Sequence, residues 1–302
     1  MTHSDPGDQF VQREDKAVYE TQEPVLYSVA DGVATLTMNR PEFHNVQNSQ
    51  MTYALDAGFR RAVDDDSVKV IVLRGAGKHF SAGHDIGSPG RDINKPFDRQ
   101  TLWWDHTNKP GAEQLFAREQ EVYLGMCRRW HDIPKPTIAM VQGACVAGGL
   151  MLAWVCDLII ASDDAFFQDP VVRMGIPGVE YFAHAHELNP RIAKEFLFVG
   201  DRMKADRAYM MGMVNRVVPR DELEAQTYDI AGRIAKQPRM GLALTKTVIN
   251  RVEELQGLRT TMDVAFGYHH FAHAHSQVLG AGQLGGHDAK SMAQANKKDA
   301  KE

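Results

Sequence analysis

Cysteine is scarce in this chain. Its three cysteines, Cys127, Cys145 and Cys156, stand in apolar surroundings without a CxxC pair, which argues against a disulfide framework or a zinc ribbon. Positive charge is also in short supply: 34 lysines and arginines face 39 aspartates and glutamates, for a net charge of −5. That balance gives no electrostatic reason to expect nucleic acid or an anionic membrane as partner. The polar, acidic N-terminal residues lack the apolar stretch of a secretory leader, so a cytoplasmic location is expected. Long apolar runs are nearly absent. The exception is residues 137–156, TIAMVQGACVAGGLMLAWVC, twenty uncharged positions close to bilayer length. Gly143 interrupts that run and Gly148-Gly149 opens a second element, so a strand, a turn and a buried helix are expected rather than a membrane span.

What is present is an ordinary globular balance, 43% hydrophobic and 24% charged over 302 residues, enough for one large domain with a helical appendage. Residues 1–23 lack periodicity and read as a flexible arm. Residues 24–190 alternate strand and helix patterns, the mark of an α/β core with right-handed crossovers. VLYSVADGVATLTMNRP reads as a hairpin around Asp31-Gly32. Met51, Leu55, Phe59 and Val63 recur at helical spacing. VKVIVLRG has the unbroken branched composition of a strand buried on both faces. A helix is expected over about 112–132, ending before Pro134; TIAMVQG and DLIIAS are further strands. Residues 191–302 read as a mainly helical region with one short strand in VNRVVP.

Two glycine turns carry the chemistry. Ser81-Ala82-Gly83-His84-Asp85 closes the VKVIVLRG strand, and Gly143 to Gly149 joins a strand to a helix. Each leaves backbone N–H groups pointing out of a sheet edge, and Gly148 would sit where a helix start favours negative charge. Singly, each reads as a tight turn. Together, two convergent N–H groups make an oxyanion hole, the device that stabilises the enolate of a thioester.

The ordered series TMNRPEFHNVQNSQM, KVIVLRGAGKHFSAGHDI, KPTIAMVQGACVAGGLMLAWVCDLIIAS and FFQDPVVRMGIPG resembles the enoyl-CoA hydratase/isomerase (crotonase) superfamily over roughly residues 24–275. The resemblance implies an α/β fold, a crotonase-like spiral of ββα units with C-terminal helices that build a trimer or a dimer of trimers. It also implies an acyl-CoA substrate, with coenzyme A as part of that substrate and no separate cofactor. The N–H groups of His84 and Gly148 would form the oxyanion hole, and His44 with Ala82, His84, Asp85 and Ile86 would line the CoA groove. Ala144, Gly148, Met151 and Val171 would complete the substrate site.

Hydratases of the family use two glutamates. The first stands three residues after the second oxyanion glycine, where this chain has Met151; the second follows the proline of the QP turn, where it has Val171. Neither side chain transfers a proton. Glu180, after GIPG, is the candidate replacement acid or base: it reads either as a helix-start glutamate in solvent or as a carboxyl buried against Tyr181 and Phe182 with a raised pKa. Asp169 before Pro170 reads as a turn residue. SAGHDI also resembles the methylmalonyl-CoA decarboxylase branch, which has a tyrosine where this chain has Gly178. Three functions stay open: a hydratase/isomerase-type enzyme, a decarboxylase of a malonyl-type CoA thioester, and an inactive acyl-CoA-binding protein. His269 and His273, with His270 and His275 beside them, and the pair His184 and His186 lack a visible third ligand, so no metal is expected. Trp103-Trp104 would cap the acyl pocket or pack on another subunit.

Overall fold

The computed structural model describes residues 22–88, 92, 97–102, 109–280, 285–286, 291 and 294. Strands β1 (Val25–Ala30) and β2 (Val33–Met38) pair antiparallel. Asp31 and Gly32 between them have φ of 50° and 78°, the two left-handed positions that fit a hairpin turn to right-twisted strands. Helix α1 (Ser49–Asp64) starts where the Asn48 side chain accepts from Met51 N–H at 2.9 Å. It buries Met51, Leu55, Phe59 and Ala62. Val63, expected in that stripe, is only half-buried; the 3.6-residue period has carried the buried face round to Ala62.

Strand β3 (Val70–Gly75) lies parallel to β2. The helix expected over 112–132 is one path with three windings: α2 (Gly111–Glu119), a π turn over Gln120–Gly125, and α3 (Met126–His131). The uncharged run 137–156 resolves into β4 (Thr137–Val141), β5 (Ala144–Val146) and α4 (Gly148–Trp154). No helix among the described residues is long and apolar enough to cross a membrane. The chain continues through β6 (Leu158–Ser162), β7 (Phe166–Gln168), α5 (His184–Glu187), α6 (Pro190–Val199), β8 (Met203–Lys204), α7 (Ala205–Met210) and β9 (Arg216–Val218). It ends in α8 (Leu223–Ala235), α9 (Arg239–Leu255) and α10 (Leu258–Val278).

The main sheet has the order β1-β2-β3-β4-β6-β9, parallel except at the β1-β2 edge, and a second sheet has the order β5-β7-β8. The strand of VNRVVP thus extends the main sheet as β9. Side-chain alternation explains why β3, β4 and β6 read as continuous apolar runs. Val70, Val72, Ile138, Met140 and Ile160 pack with Leu223 and Ala231 of α8 on one face. Ile71, Leu73, Ala139, Val141 and Ala161 join the main core on the other. Strands β5, β7 and β8 escaped the sequence reading because two or three residues are too few to show a period. Helix α9 leaves Met240, Leu244, Val248, Val252 and Leu255 exposed in a single stripe, on the region where the sequence reading expects subunits to pack.

Candidate active site

The first glycine turn leaves β3 and runs between two neighbours. Ser81 N–H donates to Ala144 O at 3.1 Å and Val146 N–H returns to Ser81 O at 3.0 Å. On its other side Gln47 N–H donates to Gly83 O and Asp85 N–H to Gln47 O, both at 2.8 Å. A buried Arg40 holds the turn from below, its guanidinium 3.0 Å from Asp85 Oδ2 and 2.7 Å from Val46 O. The Asp85 side chain is therefore an anchor for the turn. The N–H of Ala82 is committed to His44 O at 2.9 Å, and His44 itself sits exposed in a left-handed conformation. Ile86 is at the surface beyond them.

The second turn meets the first directly. Gly83 has φ of 103°, and a Cβ there would lie 3.0 Å from Val146 O and 3.4 Å from Gly148 N. Ala147, just before Gly148, holds φ of 48° and ψ of −115°, a strained conformation for a residue with a side chain. A Cβ on Gly148 would stand 2.3 Å from His84 Cδ2, 2.5 Å from His84 Nε2 and 3.1 Å from Gln47 Nε2. Only glycine admits that approach. Among the described residues, neither the His84 N–H nor the Gly148 N–H donates to a protein group.

Three buried polar side-chain atoms close to this junction also lack hydrogen-bond partners: Gln47 Nε2, His84 Nε2 and Glu180 Oε2. The His84 ring stacks on Tyr123, with centroids 3.7 Å apart and planes 6° from parallel. Burial pushes the His84 pKa down to about 3, so the imidazole is neutral. Glu180 is 3% exposed and precedes α5 by several residues, which removes the reading of a solvent glutamate at a helix start. Its Oε1 is 3.6 Å from His84 Nδ1, too far for a hydrogen bond. Burial raises the Glu180 pKa to about 8, against an opposing pull from His269. Near neutral pH Glu180 is thus largely protonated rather than half of an ion pair.

Met151 and Val171 are buried in α4 and in a short 3₁₀ turn over Val171–Met174, and Ala144 is buried in β5. Asp169 is more than a turn residue. Fully buried, it accepts from Val171 and Val179 N–H at 3.3 Å and pairs with His184 Nε2 at 2.7 Å, tying down the loop that delivers Glu180. Trp103-Trp104 lies outside the described residues.

Sequence reasoning missed Glu119. It ends α2, immediately before the π turn, and its Oε2 lies 3.4 Å from His269 Nε2 and 3.2 Å from His270 Nε2. His269 in turn stands 4.0 Å from Glu180 Oε1. Burial opposes charge on His269, but Glu119 and Glu180 outweigh it and raise the pKa to about 9. Nothing in the local sequence around Glu119 signals a partner some 150 positions away.

Residues 28–288 match the enoyl-CoA hydratase/isomerase family. The chain belongs to that family. It is 41% identical to the Mycobacterium tuberculosis protein EchA13, which carries an enoyl-CoA hydratase name, over 85% of this chain and 82% of that one. It is 30% identical to the 1,2-epoxyphenylacetyl-CoA isomerase of Escherichia coli over 82% and 89% of the two chains. A Mycobacterium smegmatis structure named as an enoyl-CoA hydratase superposes with a TM-score of 0.77 at 44% identity, covering 86% of this chain and 98% of that one. The fold is therefore the crotonase fold, as the motif series implied.

Proposed function

We propose that this member of the hydratase/isomerase family binds an acyl-CoA thioester with its carbonyl oxygen between the N–H groups of His84 and Gly148, and that Glu180 moves the proton. One observation carries the reading. Two backbone N–H groups without a protein acceptor stand on adjoining turns beside three unpartnered buried polar atoms, an arrangement that leaves desolvated groups for a ligand to satisfy. As charge develops on the thioester oxygen, donors already fixed by the Arg40–Asp85 clamp need no reorganisation. The enolate so formed calls for a proton acceptor and donor at the acyl chain. Met151 and Val171 supply neither, whereas Glu180 has a proton to exchange near neutral pH. The neutral His84 ring shapes the pocket through its stack on Tyr123. This arrangement favours shifting a double bond or protonating an enolate over two-carboxylate hydration.

A panel of enoyl, dienoyl, malonyl-type and aromatic CoA thioesters followed by mass spectrometry tests the reading. Conversion of at least one enoyl or dienoyl ester is expected, with Gly148→Pro, which deletes one of the two proposed donors, at least about a hundredfold slower. Exclusive loss of CO₂ from a malonyl-type ester would favour the decarboxylase alternative. No turnover across the panel, with acyl-CoA still bound, would favour the inactive binding protein.

A further inference from the structure

The α10 histidines lack a third donor in their own stretch of sequence, and the fold supplies one. Glu119 Oε2, His269 Nε2 and His273 Nε2 all lie within 4.8 Å of one another, and all three residues are buried. The two histidine nitrogens share a hydrogen bond of 3.0 Å, which a cation between them would replace; His269 stands 3.4 Å and His273 4.0 Å from Glu119. A triangle with those sides has its equidistant point about 2 Å from every corner, the length of a zinc–nitrogen or zinc–carboxylate bond.

We propose that Glu119, His269 and His273 bind one divalent transition-metal cation of the zinc class. The donor chemistry suits it: two imidazoles and one carboxylate is a set that zinc accepts and magnesium does not prefer. The tautomer is already set. His269 Nδ1 lies 3.0 Å from Gly178 O and donates its N–H there, the arrangement that fixes a ligating histidine with its Nε2 lone pair facing the metal. Helical geometry aligns the pair, because His269 and His273 are one turn apart on α10 and share a face.

A second observation points the same way. Glu119 is 7% exposed, yet its Oε2 makes no hydrogen bond although three histidine nitrogens surround it at 3.2 to 4.0 Å. Those nitrogens are gathered round the carboxylate but poorly aligned for donating to it. Buried carboxylate oxygens are rarely left so, since an orphaned buried acceptor bears its full desolvation penalty. A cation at the common centre engages all three ligand atoms at once. It would stand close to Glu180, whose Oε1 is 4.0 Å from His269 Nε2, and so adjoin the proposed proton carrier without replacing it. The site is independent of the acyl-CoA reading, because it is defined by metal binding alone.

The test uses the full chain without a histidine tag, stripped with chelator and dialysed against Zn²⁺ or Co²⁺. The expected result is about one equivalent per chain by elemental analysis, with visible Co²⁺ absorption of a low-coordinate nitrogen and oxygen site. Glu119→Gln preserves shape and His273→Ala removes a ligand; each is expected to weaken binding at least tenfold, with circular dichroism confirming the fold. His186→Ala, outside the cluster, should bind as the parent does. Less than a tenth of an equivalent in the parent chain, or unchanged binding in both Glu119→Gln and His273→Ala, overturns the proposal.

Discussion

The two glycine turns and the α10 histidine cluster lie side by side but are built on opposite principles. At the turns, the proposed function rests on backbone: the His84 ring is stripped of charge by burial and stacks on Tyr123, while the main-chain N–H is the group left uncommitted. In the cluster the side chains do the positioning: Glu119, 3.4 Å from His269 Nε2, raises that ring's pKa to about 9 against burial, and a bound cation would take the place of the proton. Both histidines are buried. What separates them is the distance of a charged carboxylate: Glu119 stands 3.4 Å from His269 Nε2, whereas the carboxyl beside His84, Glu180 at 3.6 Å, is largely protonated. Glu180 is the hinge between the regions, facing His84 on one side and His269 on the other.

The largest expected effect falls on that hinge. Glu180→Gln keeps the size of the side chain and removes its exchangeable acid, so kcat should fall about a hundredfold or more. Acyl-CoA affinity, read by calorimetry, should be little changed, because the backbone donors remain. A rate within threefold of the parent would show that proton transfer resides elsewhere.

A smaller effect checks the charge argument away from the site. His131 lies at the end of α3, with Asp132 Oδ1 and Glu253 Oε2 each 3.2 Å from a ring nitrogen and Asn250 beside it. Burial disfavours its charge, but the two carboxylates outweigh that and raise its pKa to about 9. A raised histidine pKa stabilises the folded chain fully below pH 6.5, and the contribution fades as pH rises through about 9. With partial solvent screening it is on the order of 1–2 kcal/mol. Denaturant titration at pH 6 and pH 9.5 should therefore show His131→Gln less stable than the parent at the lower pH and nearly level with it at the higher. A gap that does not shrink would contradict the charge account.

The contrast also marks what could be read from sequence. The two glycine turns were legible as turns because their signal is local: glycines at 83, 143, 148 and 149 follow recognisable strands, and a turn needs only its own few residues. The long strands and α1 were legible by period. Glu180 was half legible, since its position after GIPG was clear but its burial depended on Asp169 and His184 tying down the loop. The Glu119 contacts were invisible. They arise from the end of α2 meeting a helix begun nearly 140 positions later, and no local pattern encodes such a meeting. Strands β5, β7 and β8 were lost for want of length.

The central claim is that the residue at position 84 serves through its backbone. The most direct measurement is the single-turnover rate of His84→Ala on the best thioester of the panel, with folding checked by circular dichroism. Alanine supplies the same N–H, so the rate should stay within about tenfold of the parent even though the stack on Tyr123 is lost, while the loss of one oxyanion donor would cost about a hundredfold or more. A folded His84→Ala protein that binds acyl-CoA but turns over nothing, alongside an unimpaired Glu180→Gln, would contradict the account and assign the chemistry to the imidazole.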